Sequence, residues 1–332
     1  MISTLTLVII VIIVALMFDF VNGFHDAANA IATIVVTRTL TPLQAVILAG
    51  CANFVGYFAF GTAVAKMIGN GVVNIEFVTL PLILATIVGA IIWNIITWIF
   101  GIPTSSSHAL IGGLIGAGVA AVGTKVVVAS GVLKIFLFIF IAPMLGMLGA
   151  MIFTTFIIWL FRKSTPYKSK GIFKKLQLVA AVFSSIGHGT NDAQKTMGII
   201  ALALFAAHYN ATFKIDNWVV LSCYVAISLG TFFGGWSIVK TMGTSITKIR
   251  EMEGFCSGTA SAFVLMVTAH FGIPVSTTHV MAGSIMGVGS VQHARSVRWI
   301  TARKILWAWI ITIPAAAFFA AITYFATSLL VS

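Results

Sequence analysis

Eight long apolar runs, near residues 5–36, 43–65, 80–122, 132–161, 176–206, 217–239, 257–291 and 305–331, leave little of this chain able to face water. A hydrocarbon core about 30 Å thick asks for roughly 20 apolar residues per helical crossing, so the chain has room for about ten membrane-embedded segments. Only 8% of the residues are charged, where soluble domains carry about 25%. That scarcity excludes a water-soluble domain, a disordered chain, a coiled coil, a disulfide scaffold and a nucleic-acid-binding module. With 30 Gly and 7 Pro, the chain reads as an all-α polytopic membrane protein with closely packed helices. Cys51, Cys223 and Cys256 are odd in number and far apart, which fits buried thiols better than a metal site. The first run lacks a basic flank or a small-residue cleavage site and reads as a retained span.

The net charge of +12 would suit a polyanionic partner if the basic residues formed a surface patch. Instead they sit between apolar runs. Arg162, Lys163, Lys168, Lys170, Lys174 and Lys175 form one stretch, Lys240, Lys248 and Arg250 a second, and Arg295, Arg298, Arg303 and Lys304 a third. Such clusters mark cytoplasmic connections.

The runs fall into four before the 162–175 stretch and four after it, and two motifs recur across that boundary. Gly23-Phe24-His25-Asp26-Ala27-Ala28-Asn29 matches Gly189-Thr190-Asn191-Asp192-Ala193-Gln194-Lys195. Gly101-Ile102-Pro103-Thr104-Ser105-Ser106-Ser107-His108 matches Gly272-Ile273-Pro274-Val275-Ser276-Thr277-Thr278-His279, and the match continues into Gly112 and Gly116 against Gly283 and Gly287. Their shared order and nearly equal spacing indicate duplication. The expected organisation is a first transmembrane repeat at 1–161, a basic cytoplasmic linker at 162–175 and a second repeat at 176–332. Homologous connections carry different charge: 66–79 and 123–131 have few basic residues, whereas 240–254 and 292–304 hold the later clusters. The repeats are therefore expected in inverted orientation, with both termini outside the cytoplasm of a cell (inner) membrane. That parity needs 80–122 and 257–291 to be re-entrant half-helix hairpins broken at Gly-Ile-Pro. The first run, roughly 48 Å as one helix, predicts a further break near Gly23, and its counterpart near Gly189 makes two breaks per half.

Broken helices inside a membrane are tolerated where their freed backbone lines a hydrated cavity. After each Pro a run of hydroxyls opens a new helix. Thr104, Ser105, Ser106 and Ser107, with Ser276, Thr277 and Thr278, would thus offer hydroxyls and unpaired amides to an anion without fixed positive charge. Helix capping is the competing role, and the second copy favours the anion site. The Gly112/Gly116 and Gly283/Gly287 pairs read as packing.

Asp26 and Asp192 are carboxylates within apolar segments, where ionisable groups point to function. Near an oxyanion they call for cations, which gives a physical basis for coupled transport. Oxygen donors favour a hard ion, Na⁺, Ca²⁺ or Mg²⁺, and Asp26, Asn29, Asn191, Asp192, Ser105 and Ser276 are the candidate ligands, with sodium the favoured ion. Gln194 is a further candidate for the anion, and Lys195 adds a positive charge. His108 and His279 read either as buried neutral rings bonded to backbone or as proton sites. Asp19, without an acidic mate at Ser185, serves an ion path or pairs with a Lys or Arg. Asn29, Asn191 and Gln194 have interhelical hydrogen bonding as an equal alternative, and Asn53 and Asn94 read as interhelix glue.

With its duplicated Gly-x-Asn-Asp-type motif, each copy followed about 80 residues on by Pro-x-Ser-x-x-His, the chain resembles the inorganic phosphate transporter (PiT) family over nearly its whole length. His25 departs from the usual Asn. The resemblance implies an inverted-repeat fold and symport of inorganic phosphate driven by Na⁺ or H⁺. Some relatives carry a neutral metal–phosphate complex, and others carry sulfate. The short 162–175 connection looks like the compact prokaryotic form.

The resulting expectation is a sodium-driven phosphate symporter that moves sodium as co-transported ion, needs no organic cofactor, sits in a lipid bilayer and forms a homodimer through its many Gly and Trp. Proton-coupled phosphate, metal–phosphate and sulfate transport are the alternatives of the same fold. An intramembrane serine hydrolase is the alternative of another class, disfavoured because its Ser–His motif is duplicated. A passive anion channel would place Arg or Lys where the carboxylates stand.

Overall fold

A computed structural model describes residues 3–58 and 61–331. The first half forms α1 (Thr4–Val36), α2 (Pro42–Val55), α3 (Ala63–Gly71), α4 (Leu80–Ile99), α5 (Ser106–Val122) and α6 (Ala129–Phe161). The second forms α7 (Pro166–Ala206), α8 (Asn217–Phe233), α9 (Trp236–Lys240), α10 (Glu251–His270), α11 (Thr277–Gln292) and α12 (Trp299–Val331). A single isolated bridge, Val73 with Val127, is the extended pairing recorded among the described residues.

Local chemistry sets the boundaries. Thr41 caps α2 in a reciprocal box with Gln44, with Pro42 in the first helical position. Helices α4 and α10 end alike. Ile102 N–H donates to Thr97 O and Ile273 N–H to Thr268 O, each at 2.9 Å. Between them Gly101 and Gly272 take φ of 62° and 66°, the left-handed conformation that glycine adopts without strain. Pro103 and Pro274 follow, and α5 and α11 begin three residues later. Both Gly-Ile-Pro breaks therefore stand where expected.

The break expected near Gly23 is absent. α1 runs unbroken for 33 residues and α7 for 41, passing through Gly23 and Gly189. These glycines serve close helix approach instead. A Cβ on Gly23 would lie 3.0 Å from Ile227 C, and one on Gly189 would lie 2.8 Å from Asn53 O. The excess length of α1 over the core is a matter of tilt or protrusion rather than of a break. Residues 162–175 also differ from a simple loop, because 166–175 form the opening turns of α7 behind Pro166.

Among the described residues, five helices, α1, α4, α6, α10 and α12, are individually long and apolar enough to cross a membrane, and the number is up to seven if each of two bent pairs is one span. α7 has the length but carries the polar motif. α5 and α11, at 17 and 16 residues, reach only about 25 Å.

The halves exchange partners. α5 and α4 pack on α12 of the second half, while α11 and α10 pack on α6 of the first; α1 lies on α8 and α2 on α7. The Gly pairs make these crossings close: a Cβ on Gly112 would lie 3.0 Å from Ile313 Cα, and one on Gly283 would lie 2.8 Å from Pro143 Cα. Pro143 in α6 and Pro314 in α12 occupy corresponding positions, 171 residues apart.

The basic stretches gather at one end. Lys170 pairs with Glu251 at 3.5 Å. Arg298 donates to Thr244 O at 3.3 Å, and Thr247 Oγ1 to Ser296 O at 3.0 Å. The C-terminus of α1 reaches the same end, where Thr37 and Thr39 hydroxyls donate to Gln177 Oε1 at 3.1 Å. The weakly charged connections join each other elsewhere, through Asn74 N–H to Val126 O at 2.8 Å and Val128 N–H to Val72 O at 3.0 Å.

Candidate functional site

The two helices that follow the Gly-Ile-Pro breaks bring their N-termini together. Ser105 Oγ accepts from His108 N–H and Ser276 Oγ from His279 N–H, both at 3.2 Å. Each serine is thus an N-cap, as the competing reading held, and its hydroxyl hydrogen remains available. The first amides of each helix have no acceptor one turn back, so both ends present donors and the positive end of a helix dipole. The His108 and His279 rings meet edge to face at 4.7 Å between centroids. His108 Nδ1 has no hydrogen-bond partner, and the His279 ring faces the backbone of Ile139. Trp309 stacks on His279 at 3.8 Å and donates from Nε1 to Pro103 O at 2.9 Å. α12 therefore ties the break of one half to the helix start of the other.

The long central helices α1 and α7 supply the carboxylates. Asp26 and Asp192 are both buried, at 2% and 0% exposure. A pseudo-twofold pattern relates their contacts. Thr278 Oγ1 donates to Asp26 Oδ1 at 3.4 Å, and the equivalent Ser107 Oγ to Asp192 Oδ1 at 3.5 Å. Asn29 Nδ2 donates to Thr278 Oγ1 at 2.9 Å, and Lys195 Nζ in the equivalent place bonds Ser107 Oγ.

The pattern breaks elsewhere. Thr277 Oγ1 donates to Asp192 Oδ2 at 3.0 Å, whereas Ser106, its counterpart, is buried with its hydroxyl unpartnered. His25 Nδ1 lies 2.7 Å from Asp26 Oδ1 and its Nε2 lies 3.1 Å from Thr97 Oγ1. Thr104 Oγ1 donates to that Thr97 hydroxyl at 2.9 Å, so Thr104 ends a chain leading back to Asp26. Lys195 Nζ also bonds Asp192 Oδ1 and donates to Val275 O at 3.0 Å.

His188 completes the cluster. Its Nε2 is 3.2 Å from Asp192 Oδ2, and its Nδ1 is 3.3 Å from Asn53 Oδ1. One ligand atom each from Asp26, His188 and Asp192 falls within 4.8 Å of the other two, a spacing that fits a shared cation. The sequence motif begins one residue after His188, which hid it; its counterpart is Asn22, so lengthening the match by one residue exposes the position.

Other candidates stand apart. Gln194 Oε1 accepts from Val64 N–H at 2.9 Å and caps the start of α3. Asn191 Nδ2 donates to Leu265 O at 3.0 Å, leaving its Oδ1 unpartnered. Asn29 Oδ1 is likewise unpartnered. Asp19 is fully buried, both its oxygens lack partners, and no Lys or Arg pairs with it among the described residues. Asn53 links α2 to α8 through Thr231 Oγ1 at 2.8 Å, whereas the Asn94 amide makes no hydrogen bond.

Neutral hydroxyls and amides beside paired carboxylates can hold an oxyanion together with cations. Nucleophilic chemistry is not prepared: Ser105 and Ser276 bond the backbone of their histidines rather than the rings. Known proteins agree. A chain from Rhizobium meliloti (strain 1021), described as a probable low-affinity inorganic phosphate transporter, is 50% identical over 319 residues, covering 96% of each chain. One from Bacillus subtilis (strain 168) with the same description is 43% identical and covers 97% of each. A solved structure described as the sodium-dependent phosphate transporter superposes with a TM-score of 0.88 at 25% identity, over 98% of this chain and 99% of that one. These relatives and this fold are transporters, not enzymes. The matching family model spans residues 22–320, and the chain belongs to the phosphate transporter family.

Proposed function

We propose that the protein is a secondary active symporter that carries inorganic phosphate with sodium across a cell membrane by alternating access. The observation that carries this reading is the meeting of two pseudo-symmetric helix starts, α5 and α11, against two buried carboxylates on α1 and α7. Phosphate would be held by Ser106, Ser107, Thr277, Thr278 and the first amides of both helices. Sodium would be held by Asp26 and Asp192, with Asn29 Oδ1 and Asn191 Oδ1 as free oxygens nearby. Ser105 and Ser276 shape both helix starts as caps, Thr104 acts through Thr97 and His25, and Gln194 acts on α3.

The two sets of helices then form repeats of opposite orientation that move against one another. Gathering of the basic stretches at one end supports a cytoplasmic placement of that end. α1 arrives there and α12 departs from it, so with that end cytoplasmic both termini would lie outside.

A second reading has one observation in its favour. His188 adds an imidazole nitrogen to the two carboxylates, a donor set that suits a divalent metal better than sodium. Co-transport of a metal–phosphate complex would use it.

Uptake of labelled phosphate into proteoliposomes, with Na⁺, H⁺ and Mg²⁺ gradients imposed separately, tests the proposal. Acceleration by inward Na⁺ is expected, and uptake indifferent to every cation gradient would sink the symporter. Asp26→Asn and Asp192→Asn should each abolish coupled uptake in protein that still inserts; full activity in both removes the cation-site assignment.

A further inference from the structure

Resting on the reading of the site as one for phosphate and cations, we infer that the Lys195 ammonium is a tethered cation, built into the chain where the other half of the site must recruit a mobile one. The inference comes from comparing the two halves contact by contact.

Asn29 and Lys195 occupy equivalent positions, three residues after Asp26 and Asp192. Both project onto the equivalent hydroxyl of the opposite half, Asn29 onto Thr278 and Lys195 onto Ser107. Those hydroxyls in turn face the two carboxylates. Geometry is thus conserved across the pseudo-twofold axis while charge is not. Asn29 brings a neutral amide, and Lys195 brings a full positive charge that also bonds Asp192 Oδ1 and Val275 O.

Its three partners are a carboxylate oxygen, a hydroxyl and a backbone carbonyl. That is an all-oxygen shell of the kind a hard cation takes, here filled by an ammonium at 1% exposure. An ionised carboxylate is costly to bury unless opposite charge meets it. Asp192 therefore has a countercharge supplied by the chain itself. Beside Asp26 stands the His25 ring, with Nδ1 2.7 Å from Oδ1, and no Lys or Arg among the described residues; its half-site depends on a cation that arrives and leaves with the substrate. The protein needs one mobile positive charge fewer per phosphate than a site with Asn at both positions.

The measurement is the net charge moved per phosphate, taken in proteoliposomes from the potential that nulls labelled phosphate flux at fixed gradients. It does not depend on which cation is carried. Lys195→Asn, which makes the second half match the first, should raise the value by one elementary charge. Asn29→Lys should lower it by one, and the exchange Asn29→Lys/Lys195→Asn should return it to the wild-type value. An unchanged charge per phosphate in either transporting single variant overturns the inference. So does a folded Lys195→Asn protein that transports no phosphate at any cation concentration while Lys195→Arg transports, because the ammonium is then a phosphate ligand. If neither single variant inserts, the exchange decides: transport at the wild-type ratio supports the inference, and failure to transport overturns it. Wild-type protein that moves no phosphate would instead refute the functional reading itself.

Discussion

Ser106 offers a test in which two consequences have opposite signs. Its hydroxyl is buried at 1% exposure and has no hydrogen-bond partner, although its counterpart Thr277 is bonded to Asp192. A buried hydroxyl left unmet costs about 1–3 kcal/mol, and Ser106→Ala removes that cost. The substrate-free variant should therefore unfold at a higher temperature than wild type. Phosphate binding should suffer, because the hydroxyl is free to donate to a charged oxygen. A hydrogen bond of that kind contributes about 1.5–3 kcal/mol, which weakens apparent phosphate affinity roughly 10- to 150-fold. Two assays on one preparation decide: thermal unfolding in detergent with and without phosphate, and the phosphate concentration for half-maximal uptake in proteoliposomes. The gain in melting temperature on adding phosphate should shrink in the variant as the uptake constant rises. A half-saturation within about twofold of wild type would refute the placement of phosphate at the start of α5. Lower stability without phosphate would refute the unmet hydroxyl.

Two further outcomes follow from packing. In Gly189→Ala the added Cβ would meet Asn53 O at 2.8 Å and Asn53 Cα at 3.0 Å, so α7 must move off α2 at a cost of about 1–3 kcal/mol. Asp192 lies one turn further on, so both thermal stability and phosphate uptake should fall, and an unchanged pair of values would contradict the close approach. Trp309→Phe keeps a ring against His279 but leaves Pro103 O without its donor at 2.9 Å, a loss of about 1–3 kcal/mol. Thermal unfolding should register it, and a melting temperature equal to wild type's would show that the bond contributes nothing.

Features written as repeated patterns could be read from the chain. The Gly-Ile-Pro breaks were legible because Gly101 and Gly272 supply left-handed turns and the following Pro residues stop a helix, both local effects. Asp26 and Asp192 were legible because a carboxylate in an apolar run stands out against its surroundings. Gly23 misled for a physical reason: glycine both permits a break and lets another backbone approach, and only the position of Ile227 on α8 distinguishes the two. Gln194 was equally ambiguous, since nothing near it in sequence announces that the amides of Val64 and Ala65 will need a cap. The exchange of partners between halves has no local signature at all. Apolar faces of α5 and α11 fit lipid or protein alike, and which helix covers them is decided by the whole assembly.

That exchange bears on how the protein is made. α5, with its hydroxyl-rich start, leaves the ribosome long before α12, the helix that covers it. Until the last tenth of the chain is synthesised, Thr104 to His108 must wait in the membrane without the helix that covers them. The first half is thus an unfinished object rather than a module, and translation order makes its exposed polar motif a natural client for an insertion chaperone. A chain truncated before Trp299 should be degraded, and supplying α12 as a separate polypeptide should rescue it.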